Sequence, residues 1–105
     1  MAELEEAVSA YGKALEVYNR EHAPLQWAAI AGNQAVALSL IAERQNDLEM
    51  AKLAVNRIEA AITAFRDGKD LRAAANYEAR LPAAQVLAEA LAKGGASLTP
   101  RQASA

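Results

Sequence analysis

Six apolar residues, Leu48, Ala51, Val55, Ile58, Ile62 and Phe65, recur at strict three- and four-residue steps. Side chains at that period share one stripe of an α-helix but scatter over both faces of a strand, so this segment is helical and needs another helix to cover the stripe. The pattern resembles a coiled-coil seam.

The rest of the chain supplies further helices. Leu4, Val8, Tyr11, Leu15 and Tyr18 form a second seam over residues 3–20, with Glu3, Glu5 and Glu6 in its first turn and Arg20 at its end. That is the charge order a helix dipole favours. Pro24 stands where a first helical position loses no hydrogen bond, and opens a helix running to about Gln45. Asn46, with Glu49 three residues on, reads as the capping box of the next helix, and Gly68 as its stop. Asp70 caps a fourth helix through Leu71, Ala74, Ala75, Tyr77 and Leu81. Pro82 either breaks or kinks it, and residues 83–93 with Val86, Leu87, Ala90 and Leu91 make a last helical stretch before Gly94 and Gly95. The expectation is an all-α domain over residues 1–95 with about five helices, and a disordered tail over residues 96–105.

Composition agrees with helices and removes several functions. Hydrophobic content is 53% with only 5% aromatic residues, and alanine makes up about a quarter of the chain, a helix-favouring balance. At 105 residues the margin for a self-sufficient core is thin. A net charge of -2 and the lack of any Lys/Arg cluster argue against nucleic acid as a partner. With no cysteine there is no disulfide framework and no thiolate site. The acidic opening is unlike a secretory leader, which points to a cytoplasmic home. Residues 26–42 carry no charge, but that stretch is short for a bilayer and holds Gly32, Asn33, Gln34 and Ser39, so no membrane span is expected.

The chain also repeats itself. Leu4-Glu5-Glu6-Ala7 returns as Leu48-Glu49-Met50-Ala51, and at the same offset Ala10 meets Ala54, Tyr11 meets Val55 and Ala14 meets Ile58. Residues 4–15, with small, aromatic and small residues in turn, resemble the second helix of a tetratricopeptide repeat. Pro24-Leu25-Gln26-Trp27-Ala28, followed by Asn33, Ala37 and Leu38, resembles the first helix of the next repeat in a bacterial subgroup with long repeats. The resemblance covers about residues 4–65. It departs from the family in its longer period and in Gln34-Ala35, where such helices carry Leu-Gly. It implies antiparallel helical hairpins that hold a protein or peptide, with no cofactor.

Catalytic and metal-binding chemistry is sought without success. His22 is the only histidine and stands in a connection, which reads as an exposed loop residue rather than a general base. One histidine without cysteine leaves only carboxylates for a metal, and the acidic residues of helix first turns are explained by the dipole. The chain reads as a non-enzyme. Tyr11, Tyr18 and Phe65 fall on seam positions and read as core.

One helix has an unusual second face. At 100° per residue, Trp27, Ile30, Ala31, Gln34, Leu38 and Ile41 share one side of the second helix, and Leu25, Ala29, Gly32, Val36 and Leu40 share the other, with Asn33 at its edge. A glycine inside a helix costs roughly 1 kcal/mol, so a close approach by another backbone is a motive for Gly32. Either the fourth and fifth helices cover this second face or part of it is open to a partner. The candidate partner-binding residues are Ala29, Gly32, Asn33, Val36 and Leu40. Gln34 is read as a hydrogen-bonded core residue. The alternative function is a structural homo-oligomer, because a short array leaves its end faces uncovered.

Overall fold

A computed structural model describes residues 2–94; the expected tail lies outside the described residues. Among these the chain is all-helical, with α1 (Ala2–Val17), α2 (Pro24–Gln45), α3 (Leu48–Asp67) and α4 (Leu71–Ala92) and no strand. Each helix packs on the next, and α2 also touches α4. Ala42 meets Ala51 beside the α2–α3 connection while Leu25 reaches Gly68 at the far ends, so α2 and α3 run antiparallel.

The helix count is four rather than about five, because α4 runs unbroken through Pro82. An interior proline costs about 3 kcal/mol. That cost is offset here because both halves of the helix are anchored: Ala74 and Tyr77 are buried before the proline, Ala84 and Leu91 after it. Pro82 itself is exposed.

The helix boundaries are set by local chemistry. α1 stops at Val17, short of Arg20, as the Asn19 side chain accepts from the His22 backbone amide at 2.8 Å and turns the chain. Arg20, expected at the helix end, instead lies 4.9 Å from the centroid of the Trp27 ring. Asn46 is not the cap of α3. It adopts the left-handed conformation (φ 54°) that closes α2, a state Asn tolerates, and capping passes to Asp47, whose carboxylate accepts from the Met50 amide at 3.0 Å. Glu49 is thereby displaced from the capping-box position and pairs with Lys52 on the surface. Asp70 caps α4 as expected, accepting from the Ala73 amide. Gly68 does end α3, but the left-handed residue is Lys69 (φ 66°). A Cβ on Gly68 would stand 2.6 Å from Leu25 Cδ2, so the glycine makes room for α2.

The core lies between α2, α3 and α4. Ile58 is its most enclosed large side chain, and Phe65 stacks on Tyr77 at 5.7 Å between centroids with planes 7° apart. Much of the remainder is alanine: Ala28, Ala35 and Ala42 on α2 and Ala51, Ala54 and Ala61 on α3 have no exposed surface. Small residues at these spacings let helix backbones approach closely. Dispersion contacts between main chains then stand in for large interdigitating side chains. α1 differs, packing on α2 alone and burying no residue fully.

Candidate functional site: a groove floored by α2

The two faces of α2 are treated differently. On the first, Gln34 is buried, its amide donating to the Val8 carbonyl of α1 at 3.1 Å while its carbonyl accepts from Arg57 of α3. It is a core residue that ties three helices together. Its polar atoms are satisfied within the fold.

The second face is partly roofed. A Cβ on Gly32 would lie 2.5 Å from Cε1 and 2.7 Å from Cζ of Tyr77, so it is an aromatic ring of α4, not a backbone, that takes the space glycine leaves. Gly32 is buried beneath that ring. The Tyr77 hydroxyl donates to Asn33 Oδ1 at 2.7 Å and lies 3.5 Å from the Ala29 carbonyl oxygen. Burial pushes the Tyr77 phenol above its ordinary value; nearby Arg80 pulls it back, and Tyr11 on α1 pushes the same way as burial.

Beyond Tyr77 the face is open. Ala29, Asn33, Val36 and Leu40 lie along a groove with α1 as one wall and α4 as the other. Its floor rises about 16 Å along α2 at 1.5 Å per residue. The groove comprises three adjoining hollows of about 510, 270 and 200 Å³. Leu4, Ala7 and Tyr11 line it from α1 and Ala73, Asn76, Tyr77 and Ala83 from α4. Arg80 borders all three hollows. Leu40 keeps 41% of its surface exposed, Asn33 is exposed and Val36 half-buried. The structure thus brings four of the five candidate residues together and withdraws Gly32.

Sequence reasoning missed the α4 wall. In the sequence Tyr77 stands only as part of an apolar stripe, and Arg80 carries no signal. The signal available was the repeat offset: Tyr77 follows Asn33 by the same 44 positions that separate the two copies of the Leu-Glu motif. Tyr11 is half-buried at the groove rather than in the core, and Tyr18, past the end of α1, is 42% exposed; of the three seam aromatics only Phe65 is buried. His22 is exposed, its ring 3.0 Å from Asn19 Oδ1. Among the described residues no three His, Cys, Asp or Glu side chains converge as a metal site. By length and composition α2 could cross a membrane, but half of its apolar window is buried inside the fold, so the same apolarity serves as core. Comparison with family models, curated proteins and solved structures finds no match.

Proposed function

We propose that the chain is a non-catalytic interaction module of tetratricopeptide-like architecture that holds a peptide or helix of another protein in the α1–α2–α4 groove. The observation that carries this reading is the convergence of Ala29, Asn33, Val36 and Leu40 on one open, largely apolar groove bounded by α1 and α4. Grooves between helices receive amphipathic segments through such apolar floors. The repeat reading is supported by the offset: α1 leans on α2 as α3 leans on α4, and α2 docks on α4 through Asn33 and Tyr77, one repeat length apart.

The test is selection from a displayed library of random peptides with the wild-type chain and with Val36→Glu. Sequences retained by the wild type and lost by the variant, with far-ultraviolet helicity unchanged, support the reading. An unfolded Val36→Glu chain would make this face core; Leu40→Glu, at a more exposed position, then carries the same comparison.

Self-association is a second reading, favoured by a different surface. Leu71 (66% exposed), Pro82 and Val86 (63% exposed) lie along the outer side of α4 with Ala75 and Ala79, a stripe of exposed apolar residues. Light scattering over a concentration series decides it, since a chain that stays monomeric throughout excludes pairing through that stripe.

A further inference from the structure

Donors outnumber acceptors among the polar groups around the groove, where the Ser39 and Tyr11 hydroxyls can play either part. Asn33 Oδ1 accepts from the Tyr77 hydroxyl at 2.7 Å, and Asn76 Oδ1 accepts from Arg80 Nε at 3.1 Å. With both carbonyl oxygens engaged by neighbouring side chains, each asparagine has its amide NH₂ left, which only donates. The two outer nitrogens of the Arg80 guanidinium add further donors and a positive charge where the three hollows meet. Arg72 adds a second charge at the wide end. The one carboxylate on the lining is Asp70, which is held at the N-terminus of α4 by the Ala73 amide. The floor between these donors is apolar: Val36, Ala37 and Leu40, with Leu4 from α1 and Ala83 from α4.

A surface that donates at its rim and is apolar on its floor calls for an occupant with acceptors beside apolar side chains. We infer that the groove takes an acidic amphipathic peptide segment, apolar residues seated on Val36 and Leu40 and an Asp or Glu carboxylate accepting from Arg80. A carboxylate offers the planar pair of acceptors that a guanidinium fork matches. A polynucleotide satisfies the donors but leaves the floor uncovered, and the chain's own net charge of -2 repels it. A basic segment meets two arginines opposed only by the capping carboxylate of Asp70.

This inference rests on the groove reading, and one experiment separates their failures. Random twelve-residue peptides are displayed and selected against the full chain, against Arg80→Gln and against Val36→Glu, and the recovered sequences are compared. Wild type enriches Asp and Glu beside apolar residues at helical spacing. Arg80→Gln keeps the apolar preference and loses the acidic one. A peptide recovered with wild type then binds the Arg80→Gln chain about tenfold more weakly, one charge-assisted contact's worth, and that gap narrows as salt is raised. Arg80 is exposed, so the variant retains wild-type helicity. Enrichment of apolar residues without acidic ones, or of Lys and Arg, overturns the inference and leaves the groove standing. Identical recovery with Val36→Glu overturns both, as does binding of a single-stranded oligonucleotide in preference to every recovered peptide.

Discussion

α1 and α3 carry the same motif at the same offset, yet one is enclosed and the other is not. Ala51, Ala54 and Ile58 of α3 keep at most 1% of their surface, whereas their counterparts Ala7 and Ala14 are half-buried and Ala10 is exposed. The difference lies in neighbours. α3 sits between α2 and α4, and α1 has only α2. A repeated pattern fixes which stripe of a helix is apolar, but the number of partners decides how much of that stripe leaves water. It also explains the groove, since α1 and α4 stand on either side of α2 without an element between them to fill the space.

The comparison is sharpened most strongly by truncating the same seam in both copies. Ile58→Ala removes the most enclosed large side chain of the core and should cost about 2–5 kcal/mol in urea unfolding. Leu15→Ala on half-buried α1 should cost about 1 kcal/mol, since solvent already reaches the site. Hydrogen exchange gives an independent reading: α1 amides should exchange through local opening while α3 amides wait for global unfolding. Equal costs and equal protection would mean that the two helices are equivalent after all.

Where α2 docks on α4, Gly32→Ala is the next largest effect. Alanine gains roughly 1 kcal/mol of helix propensity over glycine, so on α2 alone it would stabilise. Its methyl group would meet the Tyr77 ring well inside contact distance, and overpacking of this kind costs about 1–3 kcal/mol. Net destabilisation is expected, and Tyr77→Ala in the same chain should convert Gly32→Ala into a stabilising change. A stabilised single variant would show that the α2–α4 contact yields more easily than the packing indicates.

How much of this was legible beforehand follows from what each residue depends on. The helical class, the start of α2 at Pro24 and the cap at Asp70 depend on local chemistry and can be read from a few neighbouring residues. Asn46 and Asp47 were separable only by which one must turn left-handed to close the preceding helix. Pro82 misled because its cost is local while the burial that offsets it is tertiary. Alanine was read as helix propensity, when Ala28, Ala35, Ala42, Ala51, Ala54 and Ala61 are also the contact surface between helices. On the groove, Ala29, Asn33, Val36 and Leu40 were visible as one face of one helix. Arg80 and Tyr77 were not, because their place depends on which turn of α4 comes to rest beside α2. The start of the second copy offers a smaller test of the corrected boundary: Asp47→Ala should cost about 1 kcal/mol through the lost cap. Asn46→Gly should be near neutral, as glycine also accepts the left-handed state. The reverse order, measured by thermal unfolding, would return the cap to Asn46.

The least effect belongs to the α2–α4 contact, and it depends on pH. Tyr77→Phe removes the hydrogen bond to Asn33 while keeping the ring on Gly32 and Phe65, so at neutral pH it should cost about 1 kcal/mol. The folded chain holds the Tyr77 phenol above its ordinary value, chiefly through burial, with Arg80 opposing and Tyr11 assisting. A folded value higher than the unfolded one means the neutral hydroxyl is favoured by folding. The phenol's contribution is therefore complete below about pH 10, the unfolded value, and is lost as pH rises through the folded one. Every other ionisable group is common to both chains. The difference in urea midpoint between wild type and Tyr77→Phe isolates the one group. It should be constant from neutral pH to about pH 9 and shrink above about pH 10. A difference that stayed flat through that range would mean that Tyr77 meets water as freely as α1 does, and that α4 is no better enclosed against α2 than α1 is.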